Sequence, residues 1–142
     1  MTIDKAHEIL EECMNELPDI IFRDLNGGVV LLPQKKISPE AKRDDLYTMG
    51  VYERSYAMGR SIKIFYGSFA ALYGEDAPDE LWREELRKTL KHELTHHLED
   101  LAGEKDLEIE DEVKMWLYKN NMSMSLSDRI LKKKDRKQDG GR

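Results

Sequence analysis

The sequence feature that most constrains the fold is a long amphipathic stretch from Pro78 or Asp79 to Ala102. Successive residues of an α-helix are rotated by about 100°, and at that angle five leucines fall within about 120° of arc. They are Leu86, Leu90, Leu94, Leu98 and Leu101. Asp79 is a suitable N-cap and Gly103 a natural C-terminal stop. The chain is therefore predicted to fold around one long helix that buries its leucine side.

Shorter elements on either side of this helix predict an α+β domain. Hydrophobic periodicity predicts helices over 3–17 and 107–119 and strands over 29–32, 46–53 and 61–66. The strand at 61–66 alternates polar and apolar residues, which is typical of a half-buried or edge strand. The polar stretch 34–45 is expected to form a loop.

Charge is unevenly distributed along the chain. From residue 128 onward there are seven Lys or Arg and three Asp, which leaves the preceding body with a net charge of −10. We therefore predict one domain over 1–120 and an extension over 121–142 that is basic and disordered at its end. An acidic body disfavours a nucleic-acid partner.

Neither a membrane span nor a disulfide is expected. No run of about 18 apolar residues occurs, and the single cysteine, Cys13, is predicted to be a small apolar residue of a helix. Residues 1–12 lack the basic start and apolar run of a signal peptide. These features predict a cytoplasmic protein without a membrane partner, and we expect it to be a monomer.

The long helix carries a His-Glu-x-x-His pattern formed by His92, Glu93 and His96. Residues four apart project from the same helix face, so both imidazoles can reach one Zn²⁺ at about 2.0–2.1 Å. Zinc lowers the pKa of bound water to about 7, and Glu93 can take that water's proton as a general base. Because both histidines lie well off the leucine stripe, they are not expected to be core histidines.

His97 points in a different direction from this pair. It falls at the edge of the leucine stripe, so packing or support of a ligand is expected of it rather than metal binding. Three of the four histidines of the chain thus lie in one short segment.

Two segments resemble the small bacterial minimal zincin-like metallopeptidases: Ile62 to Gly67, and Thr89 to His97 with its doubled histidine. The resemblance extends over most of residues 1–118 and implies a zincin-like fold, in which a small sheet packs on the active-site helix. It also implies a zinc-dependent peptidase. In zincins an edge strand binds the extended substrate, and here the resemblance indicates Ile62 to Tyr66, with Ile64 and Tyr66 as the substrate-binding residues. For Tyr66 an ordinary packing role is the alternative.

The third metal ligand is where the chain departs from that family. The family has Gly three residues after the second His and Asp three further on, and these places hold Glu99 and Ala102. A Gly-x-x-Asp occurs later, so Asp106 is the predicted third ligand, with capping of the next helix as its alternative. The other candidate ligands are Glu110, Glu99 and Asp100.

Two functions remain open for such a site. The first is a zinc peptidase that acts on a peptide or protein substrate, and the second is a metal- or peptide-binding module that does not catalyse. A zinc ribonuclease is disfavoured because Glu stands at position 93, no histidine follows His97, and the body is acidic.

Overall fold

The computed structural model describes residues 1–43, 45–105, 111–121 and 130–132. Four successive strands are followed by three successive helices in these ranges, so the protein is α+β, as predicted. In chain order the elements are α1 (Ile3–Asn15), β1 (Gly28–Leu32), β2 (Leu46–Thr48), β3 (Gly50–Ser55), β4 (Gly59–Phe65), α2 (Tyr66–Tyr73), α3 (Asp79–Lys105), α4 (Asp111–Asn121) and β5 (Ile130–Lys132). A short 3-10 helix, Asp19–Phe22, follows α1.

A mixed three-stranded sheet has the order β1-β4-β3. β4 lies in the middle, parallel to β1 and antiparallel to β3. The expectation of an edge strand at 61–66 is therefore wrong. The alternation arises because the two faces of β4 differ: Ile62 and Ile64 are fully buried, whereas Lys63 forms an ion pair with Glu53 at 2.7 Å. Alternation reports which face of a strand is buried, not whether its edge is paired.

The core lies between the sheet, α1 and α3. Burial of apolar side chains supplies most of the favourable free energy of folding. All five leucines of the predicted stripe on α3 are buried, together with Trp82 near the start of that helix. From the other elements the core receives Ala6, Ile9, Leu10, Cys13, Ile21, Tyr47, Met49, Ile62, Ile64, Phe69 and Val113. Cys13 is thus a small core residue, as expected.

Helix α3 is longer than predicted. It runs through Gly103 and ends at Lys105, so this glycine does not stop it. Glycine inside a helix costs only about 1 kcal/mol relative to alanine, which the packing of a long helix readily offsets. Asp106 and Glu110 lie outside the described residues.

Two further chain segments pair with β2, outside the three-stranded sheet. β5 pairs antiparallel with β2, although the sequence assigned residues beyond 120 to an extension. Residues 36–38, expected to lie in a loop, run alongside β2 and form a bridge between Ile37 and Tyr47. No helix among the described residues is both long and apolar enough to cross a lipid bilayer.

Candidate metal centre

Helix α3 presents three parallel stripes, and only one of them is apolar. Residues three or four apart share a face, so the leucines form the first stripe. A second stripe, Thr89, Glu93, His97 and Asp100, faces strand β3. Its members contact Gly50 and Tyr52 of that strand. A third stripe, His92, His96 and Glu99, follows on the side away from the leucines, which places it beyond the edge of β3.

The two histidines of the third stripe converge. Nε2 of His92 lies 3.2 Å from Nε2 of His96, and the two rings are almost perpendicular. Two ligands of one tetrahedral zinc ion, each at about 2.0–2.1 Å, lie about 3.3–3.4 Å apart. His92 is buried, while the His96 side chain is 28% exposed. The pair thus matches the spacing that zinc requires and remains open to solvent on one side.

Glu93 is fully buried, including both carboxylate oxygens. Its side chain lies against Gly50 of β3, where a Cβ would stand 3.4 Å from Glu93 Cγ and 2.8 Å from Thr89 Cγ2. A side chain at position 50 would therefore collide with the helix. Because position 50 is a glycine, β3 and α3 can approach closely. This approach brings the Glu93 side chain against the strand at the edge of the sheet.

Asp100 lies two helical turns further along the second stripe and accepts hydrogen bonds from three side chains. Oδ2 accepts from Tyr52 OH at 2.8 Å and from Arg60 Nε at 3.1 Å, and Oδ1 accepts from an Arg54 guanidinium nitrogen at 3.2 Å. Burial favours a higher pKa for Asp100, but these hydrogen bonds and the two guanidinium charges outweigh it and lower the pKa. For Tyr52, burial and the hydrogen bond to Asp100 both raise the pKa. Asp100 therefore anchors the β3–β4 hairpin, and both of its oxygens take part in this anchoring.

His97 belongs to the same anchoring group. Its Nε2 lies 2.7 Å from the carbonyl oxygen of Arg23, and its Nδ1 lies 3.3 Å from Tyr52 OH. Burial lowers the pKa of His97, so the imidazole is neutral and donates its Nε2 proton to Arg23. The two ring nitrogens are thus directed at Arg23 and Tyr52 rather than at His92 and His96, in agreement with the packing role expected from the sequence.

A complete set of metal ligands is not assembled by the described residues, among which no group of three His, Cys, Asp or Glu side chains could hold a metal ion. Glu99 lies 3.9 Å from Nδ1 of His96, the nitrogen opposite the one that faces His92. This distance exceeds that of a hydrogen bond, and the carboxylate lies beside the ring nitrogen that faces away from His92. Asp106 and Glu110, the other candidates for the third ligand, lie outside the described ranges.

The two residues predicted to bind substrate do not lie at an open edge. Ile64 is fully buried and paired on both sides, with Leu31 and with Gly50. Tyr66 is the first residue of α2, and its hydroxyl bonds to the Met1 carbonyl at 2.7 Å and to a Glu75 carboxylate oxygen at 2.8 Å. Burial, with the hydrogen bond to Glu75, raises the pKa of Tyr66 to about 12. Both predictions followed from taking β4 as the edge strand.

The edge beside the histidines belongs to β3, which sequence reasoning did not single out. Phe65 N–H donates to the Met49 carbonyl at 3.0 Å, and antiparallel ladders alternate in the direction of their hydrogen bonds. Gly50, Tyr52 and Arg54 therefore direct their backbone N–H and C=O groups away from β4. Glycine inside a predicted strand was the available signal, because it often marks a close backbone approach.

Comparison with solved structures gives a match of informative identity and coverage. No family model matches the chain, and no curated protein matches it. A solved structure, a conserved hypothetical protein from Thermus thermophilus, is 33% identical and superposes with a TM-score of 0.59. The match covers 72% of this chain and 98% of the Thermus protein, whose name states no activity.

Proposed function

We propose that this chain, which belongs to the same family as the conserved hypothetical protein from Thermus thermophilus, is a zinc-dependent metallopeptidase with a zincin-like fold. His92 and His96 would hold the ion, and Glu93 would be the general base. The observation that carries this proposal is the 3.2 Å approach of the two Nε2 atoms, one helical turn apart, with Glu93 between them in sequence. A metal-activated water with a neighbouring general base can hydrolyse a peptide bond, and an open strand edge can bind the extended chain that carries it.

The chemistry is divided between the ion and the residues of α3. When bound, zinc lowers the pKa of water from about 15.7 to about 7 and polarises a carbonyl. Glu93 accepts the proton that water loses on attack and passes it to the leaving amine. Its burial next to Gly50 keeps bulk water from the carboxylate and fixes its position.

The third ligand in this proposal remains Asp106, ahead of Glu110 and Glu99. Asp100 is withdrawn from the candidates because both of its oxygens accept hydrogen bonds from the β3–β4 hairpin. Helix α3 extends to Lys105, one residue before Asp106.

The substrate would lie along β3 rather than along β4. An extended peptide can add to the outward N–H and C=O groups of Gly50, Tyr52 and Arg54 as an additional strand. At Gly50 such a peptide passes the strand residue against which the Glu93 side chain lies. We further propose a cytoplasmic monomer, consistent with the buried free thiol of Cys13.

The test is cleavage of a randomised peptide library by the zinc-loaded protein and by Glu93→Gln. Glutamine is nearly isosteric and does not remove a metal ligand, so zinc content should stay the same. Loss of the proton acceptor should lower the cleavage rate by about 10²–10⁴-fold. Glu84→Gln, an exposed position of the same helix, is the matched control and should cleave like wild type.

Three results would contradict the proposal in different ways. Equal cleavage by wild type and Glu93→Gln would assign the activity to a contaminant or to another mechanism. Loss of zinc from Glu93→Gln would make Glu93 a ligand. Binding of peptides without cleavage by either protein would favour the non-catalytic module.

A further inference from the structure

Strand β2 is paired on both of its sides. Residues 36–38 run along one side, where Thr48 N–H donates to the Lys36 carbonyl at 2.9 Å. β5 lies along the other side, with Leu131 opposite Tyr47. Because backbone groups alternate in direction along a strand, the N–H and C=O of Tyr47 face β5.

The side of β2 that faces residues 36–38 is the side on which β4 lies. Lys36 N–H donates to Ser68 Oγ at 2.9 Å, and the Gly67 backbone lies directly against the backbone nitrogen of Lys35. Both contacts are made within three residues of the end of β4. Residues 36–38 therefore take the place beside β2 that β4 takes beside β3.

A β-bulge joins β2 to β3. Thr48 N–H faces residues 36–38, and the carbonyl of the next residue, Met49, accepts from Phe65 N–H of β4 at 3.0 Å. Two consecutive residues thus point to the same side where a regular strand would alternate, which is typical of a bulge. The opposite side of β2, where β5 is paired, is therefore continuous with the outer edge of β3.

β5 lies in line with the peptide that the proposed function places along β3. Ile130 is paired with Thr48, two positions before Gly50, so a peptide strand that passes Gly50 along the outer edge meets β5 within about 7 Å. The Glu93 side chain lies against Gly50. A chain that is cut beside Glu93 has to continue past this point, and β5 occupies the edge there.

β5 is suited to leave this edge. It has three residues and, within the described part of the chain, pairs with β2 alone. A short strand with one partner is marginally stable. A peptide that replaces β5 forms the same main-chain hydrogen bonds with β2, so the exchange costs little.

We propose that β5 is an autoinhibitory strand that occupies the β2 portion of the peptide-binding edge. This inference rests on the proposed peptidase function and specifies how that site is regulated. When β5 is paired, an extended peptide can use only the edge of Gly50–Ser55. When β5 is released, a peptide of about ten residues can run along residues 46–55 and pass the candidate catalytic groups.

The first experiment releases β5 in the full-length chain. Leu131→Pro removes the N–H that faces Tyr47 and so prevents pairing with β2. Binding of fluorescein-labelled randomised decapeptides to the zinc-free protein is followed by fluorescence anisotropy. Their affinity should rise by about tenfold or more, because a released state populated to about 10% or less lowers the apparent affinity of wild type by that fraction.

The matched control is Ile130→Pro, one residue away. Ile130 is the first residue of β5, where proline is tolerated, and its N–H is directed away from β2. This variant should therefore bind decapeptides like wild type. Equal gains from the two proline substitutions would overturn the inference.

Peptide length separates release of β5 from a general loosening of the fold. Randomised hexapeptides match the six residues of β3, so Leu131→Pro should leave their binding unchanged. Equal gains for hexapeptides and decapeptides, or no gain for decapeptides, would contradict the proposed role of β5.

The reverse experiment holds β5 in place. Leu46 and Lys132 form a non-hydrogen-bonded pair, whose Cα atoms lie about 4.5 Å apart, within the range of a disulfide. Oxidation of Leu46→Cys/Lys132→Cys should weaken binding of decapeptides to that of hexapeptides, and reduction should restore it. The single variants should not respond to oxidation.

Both experiments are independent of turnover. Unchanged decapeptide binding in Leu131→Pro and in the oxidised double variant would overturn the inference even if the peptidase reaction is confirmed. The expected changes in binding without cleavage by any form would support β5 as a competitor of bound peptides and would overturn the peptidase function alone.

Discussion

Two carboxylates on the same face of α3, Glu93 and Asp100, meet the same edge strand in opposite ways. Opposite Asp100 stand Tyr52 and Arg54, whose side chains donate hydrogen bonds to it, together with Arg60 from β4. Opposite Glu93 stands Gly50, which contributes no side chain. One helix face thus attaches the β3–β4 hairpin at Asp100 and packs against the bare backbone of Gly50 at Glu93, and the difference depends on which residues β3 supplies. In the proposed function, Glu93 is the general base.

This comparison predicts that the two amide substitutions have separate consequences. Glu93→Gln should reduce peptide cleavage by about 10²–10⁴-fold while changing the free energy of unfolding by less than about 1 kcal/mol. Asp100→Asn should retain most of the cleavage rate per folded molecule but lower the free energy of unfolding by about 1–3 kcal/mol, because the donors lose a charged acceptor. Activity assays and urea denaturation of both variants measure these effects. If both variants lost activity and stability in parallel, the division of roles would be wrong.

The close approach of β3 to α3 at Gly50 can be disrupted by a single substitution. Gly50→Ala places a Cβ at 2.8 Å from Thr89 Cγ2 and 3.2 Å from the Lys63 carbonyl oxygen, so helix and strand must separate. Overpacking of this kind typically costs about 1–3 kcal/mol. We expect lower stability and, since Glu93 moves relative to β3, slower cleavage.

The double variant Gly50→Ala/Thr89→Ser provides the control for that clash. Serine keeps the hydroxyl of Thr89 and removes the methyl that the new Cβ would meet, so part of the stability should return. Additive effects of the two substitutions in urea denaturation would show that the contact between positions 50 and 89 is not the cause.

A smaller effect is expected in the pH dependence of stability. The pKa of Asp100 is lowered in the folded protein, so the unfolded chain takes up a proton at a higher pH than the folded one. The stabilisation by Asp100 is therefore complete above its unfolded pKa of about 3.9 and is lost as the pH falls through the folded pKa. Asp100→Asn should remove this contribution, so the stability curves of the variant and wild type should converge in acid. Stability curves of variant and wild type that stay separated by a constant amount at every pH would contradict this contribution of Asp100.

Sequence patterns predicted the parts of the molecule that depend on neighbouring residues. The leucine face of α3, the shared face of His92 and His96 and the separate direction of His97 all follow from helical periodicity. Helical periodicity does not predict which strand the side chains of α3 pack against. Tyr52 and Arg54 are more than 40 residues from Asp100, and no local pattern pairs them.

The wrong predictions have one cause in common, because each relied on a local sequence pattern. β4 was taken for an edge strand because its alternation is local information, whereas its central place depends on pairing with β1, far away in the chain. Gly103 was expected to end α3, because glycine is a good stop in an isolated helix. β5 was missed because a short strand becomes stable only through its partner β2.

The central claim is that His92 and His96 bind one zinc ion beside Glu93. The most direct test is anomalous diffraction at the zinc absorption edge from crystals grown with equimolar zinc. We predict a single peak about 2.0–2.1 Å from Nε2 of both His92 and His96, with Glu93 outside the coordination shell and no peak at His97. The same map identifies the third ligand. Absence of a peak between the two imidazoles, or an ion bound elsewhere, would contradict the account.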